Sequence, residues 1–220
     1  MSRGDVPDDV AMIRGAIDTL LNSPDAQGRR VGDAKYGVYA FYDYDGEPIY
    51  VGQTVERLRV RIRRHLTNQR TDAVAMRVLD PFEVAEIEMW PFFDIVGQAA
   101  TAIRTTLNAA EFTVYQQVLA ASTFQAVLNE KGIQVVEPIA LPPSVRGGII
   151  PASIFEARKH SDVRIARRAS TIATLARVIS ERSVASGLRR TLLTQARRLE
   201  RLAAARYEET RGATEPDDDD

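Results

Sequence analysis

The run Tyr36-Gly37-Val38-Tyr39-Ala40-Phe41-Tyr42, followed after Asp45-Gly46 by Pro48-Ile49-Tyr50-Val51-Gly52, governs the architecture of this chain. β-Branched and aromatic side chains dominate both segments and suit a pleated, half-buried surface. An Asp-Gly pair between two such runs predicts a tight hairpin turn, where glycine takes a positive φ at no steric cost. Tyr39 and Tyr50 then lie on adjacent strands, and cross-strand pairing brings two phenols close together. Gly52 permits a sharp turn and a close ligand approach. Thr54 is placed to cap a helix over 55–67, with Leu58, Ile62 and Leu66 as its apolar stripe. Arg57, Arg61 and His65 are also spaced by four and share another face of that helix.

Before the hairpin, residues 8–21 read as a helix and 22–35 as a loop. After it, 82–89 is a strand candidate, and 96–119 is helical in pattern with a break near Asn108. Residues 122–132 form a shorter apolar stretch. The segment 135–154 holds Pro138, Pro142, Pro143 and Gly147-Gly148, a composition that predicts a linker. Ile165, Ile172, Leu175 and Ile179, then Leu188, Leu192, Leu199 and Leu202, predict two further helices as a hairpin. A small sheet followed by helices predicts an α+β fold: a mainly antiparallel sheet flanked by helices, with an Arg-rich helical extension. The expected units are 1–35 (helix and loop), 36–134 (core), 135–154 (linker), 155–211 (Arg-rich helical hairpin) and 212–220 (acidic, disordered tail).

The 220 residues suffice for one sizeable core. No apolar run approaches the ~20 residues that span a bilayer, and the absence of cysteine excludes disulfides and thiolate metal sites. A cytoplasmic protein without a membrane partner is expected. The net charge of -1 hides an uneven distribution. Residues 155–211 carry fourteen Lys and Arg against six Asp and Glu, a net of +8, whereas 212–220 carries -5. Such a segment suits a polyanion, with the tail competing for the same surface. It equally suits a solvated face or a dimerisation element. Narrow apolar stripes predict that Arg167, Arg168, Arg189, Arg190, Arg197 and Arg198 face outward.

Two phenols, a guanidinium and an imidazole converging on one pocket fit phosphodiester hydrolysis. That reaction requires a base for water, a cation for the pentavalent phosphate, a metal ion and a proton for the leaving oxygen. Glu111 lies in a helical stretch rich in Ala, Val and Leu, where an inward carboxylate needs a partner or an ion. One carboxylate with phosphate oxygens and water is adequate for Mg²⁺. Glu86 and Glu88 are alternative metal ligands.

The pattern resembles the GIY-YIG nuclease family, over about 36–129. Gly37-Val38-Tyr39 and Tyr50-Val51-Gly52 stand for its two motifs, with valine replacing isoleucine in both. Leu58, Arg61 and His65 fit its Leu-x-x-Arg-x-x-x-His pattern, Glu111 the metal-binding glutamate, and Asn129 its late asparagine. The hairpin phrases Gly37–Tyr42 and 48–52 are similar to the branch of restriction endonucleases that cut CCGCGG, and the Arg-rich C-terminal part lies outside that likeness. The resemblance implies a GIY-YIG-like fold and a metal-dependent endonuclease acting on double-stranded DNA with Mg²⁺ or Mn²⁺. It implies Tyr39 as general base, Tyr50 assisting, Arg61 on the phosphate, His65 relaying a proton, Glu111 on the metal and Asn129 ordering the site. Arg57, Arg64, Arg189, Arg190, Arg197 and Arg198 are the expected DNA contacts. A restriction or other defence role, in a possible homodimer, leads. A structure-specific repair or mobile-element nuclease and a catalytically inactive nucleic-acid-binding module are the alternatives.

Overall fold

A computed structural model describes residues 7–67, 80–129, 133–181, 184 and 186–211. The expected acidic tail, 212–220, lies outside the described residues, as does Glu130, which follows the late asparagine. Four strands, β1 (Gly37–Tyr42), β2 (Pro48–Thr54), β3 (Glu86–Pro91) and β4 (Val145–Gly148), form one antiparallel sheet in the order β2-β1-β3-β4. Among the described residues the helices are α1 (Asp8–Leu21), α2 (Leu58–Thr67), α3 (Ala100–Ala121), α4 (Ala152–Lys159), α5 (Ser161–Glu181) and α6 (Ser186–Arg211). The fold is α+β, with the helical extension after the sheet. No helix in the described part is long and apolar enough to cross a membrane.

β1 is buried at every position because both faces of the sheet are covered, which is why it reads as a continuous apolar run. Tyr39 and Phe41 point into a core with Ile17, Leu21, Leu58, Ile62 and Met89. Val38, Ala40 and Tyr42 point into a second core with Val51, Leu107, Ala110 and Val114. Gly46 takes φ +75° in the hairpin turn, as the Asp-Gly pair requires.

Several elements differ from the sequence reading. β4 lies inside the expected linker 135–154 and forms an edge of the sheet. A Cβ on Gly147 would meet Leu20 Cδ1 at 2.7 Å, so this glycine serves close packing of β4 against α1 rather than chain freedom. α3 runs through Asn108 without a break. α2 begins at Leu58 rather than 55, because the Thr54 hydroxyl bonds to both the N–H and the carbonyl of Glu56. The stretch read only as apolar, over its described part 122–129, runs along the outer edge of β2, where Leu128 N–H donates to Ile49 O at 2.9 Å. Among the described residues the C-terminal region holds three helices rather than two.

The largest correction concerns the arginines. Arg168 and Arg198, expected to face outward, are 5% and 2% exposed, and Arg164 is buried with them. Arg164 makes two hydrogen bonds to the Asp45 carboxylate, at 3.0 and 2.7 Å. Arg168 bridges Asp43 (2.9 Å) and Glu83 (3.1 Å), and Arg198 donates to Pro48 O (2.7 Å) with Glu47 at 3.7 Å. α5 and α6 are thus locked onto the turn of the β1–β2 hairpin. The physical reason lies in the turn: Asp43 and Glu47 are buried there and need cationic partners. Burial holds Glu83 above the usual carboxylate range, a shift that Arg168 and Arg164 oppose.

Removing one partner from such a network strands the others. Arg168→Leu is expected to lower unfolding free energy by about 3–5 kcal/mol in urea titrations. Arg197→Gln, one residue from Arg198 but exposed, is expected to change it by less than about 0.5 kcal/mol.

Candidate active site

The site is organised around the Tyr39 hydroxyl. Tyr39 pairs with Gly52 across the hairpin. A Cβ on Gly52 would lie 2.6 Å from that hydroxyl and 2.8 Å from the Tyr50 ring, so the glycine is the space the phenol occupies. Gly37 has the matching role at the other end of the motif, where a Cβ would meet Leu58 at 2.8 Å. Leu58 and Ile62 are fully buried and fix α2 on the core, and the helical spacing then turns Arg61 and His65 toward Tyr39.

Arg61 Nε lies 3.2 Å from the Tyr39 oxygen, and His65 Nε2 lies 2.8 Å from it. A guanidinium only donates, so the phenol oxygen accepts from Arg61; when His65 Nε2 carries no proton, the phenol donates to it. Tyr50 packs against Tyr39 with ring centroids 6.2 Å apart and against His65 at 5.3 Å.

The electrostatics follow from burial. His65 is 1% exposed, and burial, then the charges of Arg61 and Arg64, lowers its pKa to about 3. Burial, then the Tyr50 phenol, pushes Tyr39 well above the ordinary tyrosine range, whereas Arg61 pulls it down. Arg61 loses some basicity to burial, but the Tyr39 phenol reverses this and its pKa is raised.

Glu111 is half-buried on α3, and its charge reaches Tyr39. Burial raises its pKa, against hydrogen bonds from Gln53. Gln53 Nε2 donates to Glu111 Oε2 at 3.0 Å and to Asn108 Oδ1 at 2.7 Å. Neither Gln53 nor Asn108 was expected from sequence. The available signals were adjacency to Gly52 and a three-residue step back from Glu111 along one helix face. Glu86 and Glu88 are engaged elsewhere. Glu86 binds Arg146 at 2.7 Å, and Glu88 accepts from Tyr42 and Ser144, both at 2.7 Å.

Asn129 acts on the backbone of β2. Its amide brackets Val51, accepting from the N–H at 3.1 Å and donating to the carbonyl at 2.7 Å, which fixes the strand between Tyr50 and Gly52. Arg57 immediately precedes α2 and is exposed, and its carbonyl accepts from the Arg61 N–H at 3.1 Å. Arg64 pairs with Glu56 at 2.6 Å. Arg189, Arg190 and Arg197 are exposed, whereas Arg198 is buried in the hairpin network and has no outward face.

Among the described residues no three His, Cys, Asp or Glu side chains cluster as a metal cage. A half-buried carboxylate with raised pKa and neutral amide neighbours still fits a hard cation that keeps most of its water.

Residues 35–95 match the model of the GIY-YIG catalytic domain family. The match spans β1, β2, α2 and β3, with Tyr39, Tyr50, Arg61 and His65, and stops before Glu111. It supports a nuclease. No curated protein and no solved structure matches the chain.

Two outcomes follow. Gly52→Ala displaces the Tyr39 hydroxyl and is expected to lower cleavage about 100-fold, read as kcat in a DNA-cutting assay. His65 also carries a stability signature. Below pH 6.5 the unfolded chain takes a proton on this ring that the folded chain refuses until about pH 3. This contribution to stability is therefore complete above pH 6.5 and falls on acidification, by up to about 1.4 kcal/mol per pH unit. Urea denaturation at several pH values is expected to show the stability of wild type relative to His65→Gln declining across that window.

Proposed function

We propose that the chain is a metal-dependent endonuclease that hydrolyses DNA phosphodiester bonds. The observation that carries this reading is the Tyr39 oxygen held between His65 Nε2 at 2.8 Å and Arg61 Nε at 3.2 Å, with the Glu111 carboxylate within electrostatic reach. Water attacks phosphorus, its proton passes to the Tyr39 oxygen, and the Tyr39 proton passes to His65 Nε2. The bond to the leaving oxygen breaks, and that oxygen takes a proton from solvent. His65 is a weak base in the free protein because burial and the charges of Arg61 and Arg64 oppose its protonation. A bound phosphodiester offsets the arginine charges and raises its basicity. Arg61 stabilises charge on the phosphate with a forked donor. Tyr50 packs the phenol in place, and Asn129 holds the Val51 backbone.

Glu111, oriented by Gln53, would hold Mg²⁺ or Mn²⁺. Such an ion supplies Lewis-acid stabilisation of the phosphate and lowers the pKa of bound water. In biological role we read the protein as a restriction or other defence nuclease, on the likeness of its hairpin phrases to the restriction branch. A homodimer would suit a two-fold symmetric target.

Purified protein is expected to cut plasmid DNA with Mg²⁺ or Mn²⁺ and not in EDTA, and discrete fragments rather than a smear would support sequence-specific restriction. Tyr39→Phe, Arg61→Ala and Glu111→Ala are each expected to lower cleavage by at least about 100-fold while circular dichroism stays unchanged. Glu111→Ala should retain DNA binding, since a carboxylate removed is repulsion removed. Normal cutting by Glu111→Ala would overturn the metal assignment.

A further inference from the structure

A cavity of about 190 Å³ lies between the second half of α3 and the start of α6, with Tyr115, Gln125, Asn129 and Arg190 in its walls. Its position is informative. Tyr115 follows Glu111 by one helical turn, about 6 Å along the axis, on the same face of α3. Asn129 grips Val51, the residue between Tyr50 and Gly52, so the groove abuts the strand that carries the candidate active site.

Its wall is built rather than incidental. Gln125 has φ +47°, and it is the only non-glycine residue with positive φ among the described residues. A left-handed glutamine persists when its surroundings over-determine it. Here Glu47 accepts from Ser122 Oγ at 2.8 Å and from Thr123 N–H at 2.7 Å, and Gln125 N–H closes on Ser122 O at 3.1 Å. Arg198 and Arg201 sit over the Phe124 ring, 5.4 and 5.5 Å from its centroid. The loop that presents Gln125 is therefore fixed by the same buried ions that dock α6. Opposite it, Arg190 is exposed and makes no ion pair among the described residues. Among the described residues no carboxylate joins it in lining the cavity.

We propose that this groove is the subsite for the nucleotide of the substrate strand that flanks the scissile phosphate, an assignment that rests on the nuclease reading above. Tyr115, half-buried, offers a ring for the base. Gln125 offers an amide to its edge, and Arg190 offers a cation to its phosphate. A site of this size takes the base, with its sugar and phosphate at the mouth beside Arg190, and it holds that base one helical turn from Glu111.

The test is binding of a fluorescein-labelled DNA oligonucleotide to the full chain in EDTA, across a salt series, alongside cleavage of plasmid in Mg²⁺. Tyr115→Ala is expected to weaken binding about 5- to 100-fold, whereas Tyr115→Phe, which keeps the ring, stays within about two-fold of wild type. Arg190→Gln is expected to reduce the slope of log K against log salt by about one. DNA carrying iodouracil is expected to cross-link to the peptide containing Tyr115. If wild type cuts DNA while Tyr115→Ala and Arg190→Gln bind and cut as it does, the groove assignment alone is overturned. If wild type neither binds nor cuts DNA, the nuclease reading and the groove assignment fall together.

Discussion

The charge exchange between the hairpin turn and the C-terminal helices is the constraint on which the rest of the molecule depends. Asp43 and Glu47 are drawn into the protein by the geometry of the turn, where Asp43 Oδ1 accepts from the N–H groups of Asp45 and Glu47. Buried carboxylates of this kind destabilise a fold unless cations meet them. Arg164, Arg168 and Arg198 do so from helices more than a hundred residues away in sequence. The consequence spreads in two directions. The strands carrying Tyr39 and Tyr50 are held at their turn, and Glu47 also anchors the loop after α3. A charge arrangement that contributes no chemistry therefore sets the frame in which the chemistry sits.

Within that frame, the two motif glycines are defined by what they leave out. The Tyr39 phenol crosses the place where a side chain on residue 52 would stand, and Leu58 fills the corresponding place beside residue 37. The sheet thereby brings a hydroxyl, an imidazole and a guanidinium within hydrogen-bond distance, with the first two buried from bulk solvent. Burial then makes His65 neutral and Tyr39 hard to ionise, so Arg61 is the charged member of the cluster.

The hairpin, α2 and the convergence of Tyr39, Arg61 and His65 were legible because each rests on local periodicity. The buried face of the C-terminal helices is not legible in this way, because apolar residues alone do not mark it. Arg164, Arg168, Thr171 and Leu175 follow a helical period as cleanly as any aliphatic stripe, and they are the residues facing inward on α5. On α6 the inward set is Leu188, Thr191, Thr194, Gln195 and Arg198. The partners that make this possible, Asp43, Asp45, Glu47 and Glu83, are distant in sequence, and no local pattern couples them to the arginines. Gln53 and Asn108 escaped for a similar reason, since each gains meaning only when α3 lies against β2. β4 was hidden by its glycines, which resemble a linker until Leu20 is seen against Gly147.

The segment over β2 has a further consequence, for the open margin of the sheet. β2 stands at one margin of the sheet, and an open margin is a template for a strand from another molecule. Leu128 and the Asn129 amide occupy the backbone groups of Ile49 and Val51 that such a strand would use. The opposite margin is β4, only four residues long and ending in Gly147-Gly148, which is a poor ladder for addition. The asparagine that steadies the hairpin thus also covers the margin of the sheet along the strand that carries Tyr50.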